Sequence, residues 1–413
     1  MSSPGRRTLC LLACLVSASF AAGCGRSDQA AESTATLREI RLGAVLPLTG
    51  KESKIGGAFH TAIRFAVDEA NGAGGLQLAG RRIPIALEIL DDTTDTTRSA
   101  QLIEQLITQS RVHAVVGGYS TILVQAQSVV PDRYGIPYIN GGGASSSIYG
   151  RSSWVFGTLA PVDQLAATQM EFLRDLVDGG RLPKPTRISL LWENTEHGKD
   201  YQRGVRQSAA QSPDHFQVIV DEGFELYAHD FKPLLTRVHA ASADVFMADA
   251  RLEDYISMHR QYTQMGLHHK MTTYGPRGAD KAARDGLGAA TDFIFASSWW
   301  SPNLPYPQVE AFNQKYSAAT GATPAWYDAL AYETVRALLR AIEAAGSVAP
   351  DAIRSALAAV ALENSLVPGG TLKFNSHGQA VYPFVVTQNK PQGKLDLVWP
   401  KGDRTGDTVC PVP

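Results

Sequence analysis

The sequence predicts two α/β lobes, each a doubly wound parallel sheet covered by helices. Three observations lead there. From Arg38, short apolar strand patterns alternate strictly with amphipathic helix patterns. The alternation restarts after Phe156-Gly157-Thr158, so two successive runs imply two lobes. After Val360 the pattern changes to short strands separated by turn residues, which predicts a small closing sheet or hairpin.

The elements follow in chain order. Ile40, Leu42, Ala44 and Leu46 alternate as a strand, ended by Pro47-Leu48-Thr49-Gly50. Phe59, Ile63, Ala66, Val67 and Ala70 recur at helical spacing, and Asn71-Gly72 closes that helix. Ile83 to Leu90 is a second strand, and Leu102, Ile103, Leu106 and Ile107 mark the next helix. Val112 to Val116 is a continuous apolar run, as in a strand buried on both faces. A helix starts near Ile122, and Ile136 to Ile139 is another strand. In the second run, Leu165, Phe172, Leu173 and Leu176 form a helical stripe before a strand at Ile188 to Leu191. Strands at Val218 to Val220, Val245 to Ala248, Met271 to Tyr274 and Phe293 to Ala296 follow, with helices between the first three. Helices at Val309 to Ala319, Trp326 to Ala345 and Pro350 to Val360 precede strands at Thr371 to Phe374, Val381 to Thr387 and Leu395 to Val398.

The N-terminus reads as a secretory signal. Arg6 and Arg7 precede an apolar run from Leu9 to Phe20, then small residues. That run is short of the about 20 apolar residues that span a bilayer. Ala21-Ala22-Gly23-Cys24 resembles a bacterial lipobox, so residues 1–23 are expected to be removed and Cys24 lipidated. Residues 24–37 are small and polar, a flexible tether. Of four cysteines, Cys10 and Cys14 fall in the signal and Cys24 at its end, leaving Cys410 alone, so the exported body has no internal disulfide. A 44% hydrophobic chain of 413 residues can instead rely on large cores. A net charge of −2 without a basic stripe argues against nucleic acid as a partner.

Enzyme motifs do not emerge. The sequence has no G-x-S-x-G elbow, Walker A loop, H-E-x-x-H or C-x-x-C, and Gly286-Leu287-Gly288 lacks a third glycine. Asp91, Asp92 and Asp95 read as strand-end and helix-capping residues ahead of a Thr-rich helix start. His268 and His269 are adjacent and point apart, which disfavours a shared metal. No enzyme activity, cofactor or metal is expected.

Four segments together resemble the periplasmic branched-chain amino-acid (Leu/Ile/Val) binding proteins, the type I receptors of ABC importers. They are Ile40 to Gly50 with Ala66-Val67-Asp68-Glu69-Ala70-Asn71 and Gly74-Gly75; Ala114 to Ser120; Gly135 to Asn140; and Asp328-Ala329-Leu330-Ala331-Tyr332 through Ala344-Ala345-Gly346-Ser347. The resemblance spans about Arg38 to Trp399, and order and spacing carry it rather than any one motif. It implies a clamp of two Rossmann-like lobes joined by a three-crossover hinge. Residues 38–157 and 296–360 would form lobe 1, residues 158–295 and 361–400 lobe 2, and residues 401–413 a C-terminal tail. A small-molecule ligand would close the cleft, and the closed, monomeric receptor would dock on ABC permease subunits. The setting would be periplasmic or at the cell surface, lipid-anchored to a bacterial membrane. A sensor of the same fold is the alternative role.

Residue chemistry agrees with a cleft. Ser120 and Thr121 follow a buried strand and open a helix, where hydroxyls and free N–H groups suit a carboxylate. Gly142, Gly143, Ala144 and Ser145 follow the next strand, giving close backbone approach and a donor. Against the family pattern, the position that usually holds an acid for the ligand's ammonium is Arg277, which attracts a carboxylate instead. Positions often aromatic are His197 and Ile55, the position often threonine is Ala144, and Trp299 with Trp300 could wall the pocket. Two ligand readings stand: a small acid with an apolar or aromatic body, or an amino acid whose ammonium meets Asp249 or Glu253.

Overall fold

The structure, a computed structural model, describes residues 36–413. The expected signal, the expected lipidation at Cys24 and the expected tether up to residue 35 lie outside the described residues. The remainder forms one compact unit containing two large sheets.

The first run builds the first sheet. β1 (Ile40–Leu46) leads through α1 (Ser53–Gly72) to a hairpin of β2 (Leu76–Leu78) and β3 (Arg81–Ile83). Pro84 then separates the hairpin from β4 (Ile85–Asp91), because a proline cannot donate to the ladder. α2 (Thr96–Thr108) is capped by the Asp95 carboxylate, which accepts from the Arg98 amide. β5 (Ala114–Val116), α3 (Thr121–Tyr134), β6 (Tyr138–Asn140) and β7 (Val155–Gly157) complete an all-parallel sheet of order β4-β1-β5-β6-β7. The buried strand cores match the continuous apolar runs of the sequence.

The second run builds the second sheet. α4 (Val162–Asp178), β8 (Thr186–Glu193), α5 (Glu196–Gln211), β9 (Phe216–Phe224), α6 (Lys232–Ala241), β10 (Val245–Asp249), α7 (Leu252–Gln264), β11 (Met271–Thr273), α8 (Lys281–Leu287) and β12 (Phe295–Ser298) follow in order. The chain then returns to the first lobe as α9 (Pro307–Thr320), α10 (Trp326–Ala345) and α11 (Pro350–Ala359). A small antiparallel pair, β13 (Ala361–Glu363) and β14 (Thr371–Lys373), comes next, and Gln379 bridges Gly157 of the first sheet. β15 (Val385–Lys390) and β16 (Lys394–Trp399) then add antiparallel strands beside β12. The second sheet is therefore β16-β15-β12-β11-β10-β8-β9. The final residues lie along it: the Val412 amide donates to Lys270 and the Val409 amide to the Gln388 side chain.

Three crossings between the sheets, after β7, after β12 and after β14, make a two-lobe clamp. In each sheet the winding reverses once, between β1 and β5 in one and between β8 and β10 in the other. A crevice opens at the carboxyl end of such a reversal, so the fold points two crevices at each other.

α10 sets the floor of the first lobe. It is buried on nearly every face, from Trp326 to Ile342, and packs along α1. Phe65, Phe312 and Tyr332 interlock between α1, α9 and α10. Leu330 has no exposed surface and its carbonyl abuts Gly141 in the loop after β6. Leu330→Ala should therefore lower the unfolding free energy by about 2–5 kcal/mol. The check is urea denaturation, with a lower midpoint and an unchanged slope.

Candidate ligand-binding cleft

The loops at the two reversals enclose a cavity of 30 Å³ between the lobes. From the first lobe come Tyr119, Ser120 and Thr121 after β5, and Gly142 and Ala144 after β6. From the second come Glu193 at the end of β8, His197 at the start of α5, and Asp249, Ala250 and Arg251 at the end of β10. Leu159, Pro276, Arg277, Trp299 and Trp326 close the remaining sides.

Local geometry explains the first-lobe edge. Ser120 is the N-cap of α3 in an extended conformation, yet its hydroxyl makes no capping hydrogen bond. The cap residue that ordinarily satisfies an amide of the first turn is thus left with its hydroxyl unspent. The Thr121 hydroxyl accepts from the Ala144 amide at 3.4 Å and ties the two loops together. A Cβ on Gly142 would lie 2.3 Å from the Gly118 carbonyl, so only glycine allows these loops to approach so closely.

The second-lobe edge is charged and internally paired. The Arg251 guanidinium bonds Glu52 of the first lobe and lies 3.4 Å from Glu193 of its own. Tyr227 donates to the same Glu52 carboxylate at 2.8 Å. Arg277 donates to Asp280 at 3.1 Å and to the Tyr119 hydroxyl of the first lobe, and its guanidinium packs on Trp326 at 5.0 Å. Burial works against both guanidinium charges. Glu52 and Glu193 more than offset it at Arg251, as Tyr119 and Asp280 do at Arg277. His197 Nδ1 lies 2.9 Å from Asp249. Burial pushes the His197 imidazole down, but the Asp249 charge and hydrogen bond, with Glu193 behind them, raise it above 6.5.

Of the residues singled out from sequence, Ser120, Thr121, Gly142, Ala144, His197, Asp249, Arg277 and Trp299 come together around the cavity. Five others do not line it: Gly143, Ser145, Ile55, Glu253 and Trp300, the last of which faces a separate groove. Gly143 is occupied by Asn140 and Tyr149 behind the loop. Ser145 donates across the lobes to Asp200 at 2.7 Å. Ile55 lies in a neighbouring recess with Glu52, Tyr227 and Glu253. Sequence reasoning missed Glu52, Glu193, Arg251 and Trp326. Glu193 and Arg251 were reachable, since both sit at carboxyl ends of strands flanking the winding reversal. Trp326 carries no local signal, because it reads only as the first residue of a helix.

Glu193, His197 and Asp249 present donor atoms within 4.8 Å of one another, the one such trio found among the described residues. Each already has a partner, in Arg251, Asp249 and His197 respectively. The three aspartates at and just past the end of β4 serve the loop: Asp91 accepts from Leu48, Thr49 and Thr93, Asp92 from Thr94 and Ser99, and Asp95 caps α2.

Comparisons with known proteins agree with this fold. A family model described as periplasmic binding protein matches residues 39–394. The chain is 24% identical over 379 residues to a Leu/Ile/Val-binding protein homolog of Brucella abortus, covering 89% of this chain and 92% of that protein. Its fold resembles a branched-chain amino acid transporter substrate binding protein of Streptococcus pneumoniae solved with isoleucine, at TM-score 0.75 and 20% identity, covering 88% and 100% of the two chains. It equally resembles an ABC transporter solute binding protein of R. palustris solved with benzoate, at TM-score 0.75 and 18% identity, covering 90% and 99%.

The His197–Asp249 pair has a pH signature. A histidine raised above its unfolded value stabilises fully below 6.5, and that contribution disappears as pH rises through the folded value. An NMR titration should place the His197 midpoint above 6.5, and Asp249→Asn should lower it. Thermal stability should fall across the same window in the native chain and fall less in D249N. An unmoved midpoint in D249N would show that Asp249 does not set it.

Proposed function

The chain belongs to the periplasmic binding protein family, the type I branch that includes the Leu/Ile/Val-binding proteins, and from this we propose that it is a lipid-anchored ABC-importer receptor for a small carboxylate. The observation that carries the ligand reading is the Ser120 hydroxyl, unspent at the start of α3 and lining the inter-lobe cavity. Ligand carboxylate oxygens would meet that hydroxyl and the first amides of α3, where the helix dipole favours negative charge. Trp299, fixed by a 2.8 Å bond from its indole N–H to the Ala160 carbonyl, offers a flat apolar wall for the ligand body. Arg277 faces the same cavity but already serves Asp280 and Tyr119, so it orients the site more than it supplies free charge. An amine-free acid with an apolar or aromatic body suits these features. An amino acid is the second reading, supported by Glu193 and Asp249 lining the same cavity. Delivery would be to ABC permease subunits, with the protein held at the periplasmic or outer face of a bacterial membrane through Cys24.

The ligand reading is tested by thermal unfolding of protein beginning at Thr36, with amine-free aromatic and aliphatic acids beside branched-chain and aromatic amino acids. A carboxylate at about a hundred times its dissociation constant should add about 2.7 kcal/mol. Ser120→Ala should weaken binding of the best ligand by about tenfold, the loss of one hydrogen bond to a charged group. No stabilisation by any carboxylate would sink the reading. For the anchor, full-length protein made in a bacterial host should incorporate labelled palmitate and fractionate with membranes, whereas Cys24→Ser should do neither.

A further inference from the structure

We infer that Trp326 is the movable wall of the cleft and sets the length of ligand it admits. The inference rests on the reading of this cavity as a carboxylate site and concerns a residue to which that reading gives no role.

A cavity of 30 Å³ has room for little more than a water or two. Any organic ligand seated with the lobes this close must displace a wall. Almost every ring-bearing or charged side chain around the cavity is hydrogen-bonded in place. Trp299 is tied to Ala160, Tyr119 to Arg277, Arg277 to Asp280, His197 to Asp249, and Arg251 to Glu52 and Glu193. Trp326 is the exception. Its indole N–H is buried without a partner, and the ring is held by packing alone, against Trp299, Tyr327 and Arg277.

Space for the displaced ring lies directly behind it. A groove of 960 Å³ runs between the lobes past Trp300 and Tyr327, and Trp326 is the one residue that lines both this groove and the cavity. Turning the indole outward would join the two. It would let the body of a ligand extend past α10 into the groove while its carboxylate stays at Ser120. With the indole inward, the cleft closes over short ligands only. The orphan N–H also makes the inward position a costly one, since a buried donor without an acceptor loses its hydration for nothing.

The test is calorimetric titration of two probe pairs matched in head group and differing in length. Benzoate with 4-pentylbenzoate covers the amine-free reading, and leucine with 2-aminodecanoate covers the amino-acid reading. In Trp326→Ala the affinity for the long member relative to the short should rise at least about tenfold over the native chain, the scale of a few methylenes in an apolar pocket. Trp326→Phe keeps a ring in the wall and should leave the ratio near native. Trp326→Leu repeats the first arm with an apolar helix start if the alanine chain does not fold. The native-minus-W326F fluorescence should shift on adding the long probe and not the short. An unchanged ratio in W326A and W326L, with the short probe still bound, overturns the inference alone. Native protein that binds neither pair overturns the carboxylate reading and the length assignment with it.

Discussion

A guanidinium buried between two carboxylates is tolerable only while both stay against it, because each charge left alone in the interior costs several kcal/mol. Arg251 is in that position, and its two partners belong to different lobes: Glu193 to its own and Glu52 to the other. The pairing therefore fixes more than one side chain. It sets the distance between the start of α1 and the start of α7, and with it the width of the cleft. Tyr227 strengthens the arrangement by donating to Glu52 from the same side as Arg251. Two further contacts cross at other points, Arg277 to Tyr119 and Ser145 to Asp200. Together they hold the lobes at three separated places, which resists twisting as well as opening.

The same pairing constrains what the cleft recognises. The charged groups that line the cavity are Glu193, Asp249, Arg251, Arg277 and the His197 imidazole, and each is already paired: Arg251 with Glu52 and Glu193, Arg277 with Asp280, and His197 with Asp249. Among the described residues, every cationic side chain that lines the cavity therefore already has a carboxylate partner. On the proposed carboxylate reading, recognition would fall to neutral donors: a hydroxyl, helix amides and the helix dipole. Such donors are preorganised and discriminate by geometry more than by charge.

Much of this was legible in the sequence, and the reasons differ by level. The two sheets were visible because parallel strands buried on both faces read as apolar runs, as in Val112 to Val116 and Val245 to Ala248. The β2–β3 hairpin was missed because three-residue strands are too short to show a period. Ser120 and Thr121 were legible because a strand end followed by a hydroxyl pair is itself a physical signal. Arg277 was legible as a cation but not as a committed one. Its use by Asp280 and by Tyr119, 158 residues away in sequence, exists only in the fold. Ser145 likewise has the donor its sequence promised, and the fold turns it to Asp200.

What remains unsatisfied on closure decides what a ligand can add. A ligand shifts a two-state equilibrium only by its differential affinity for the two states. Contacts made between the lobes themselves, such as Glu52 with Arg251, favour closure whether or not a solute is present. They therefore contribute to the resting balance and not to selectivity. Selectivity must come from groups that closure buries without partners. Among the residues lining this cavity, the Ser120 hydroxyl makes no capping hydrogen bond and the Trp326 indole N–H is buried without a partner. Both can donate. On the proposed reading, a solute that brings an acceptor to the Ser120 hydroxyl would gain most from closure.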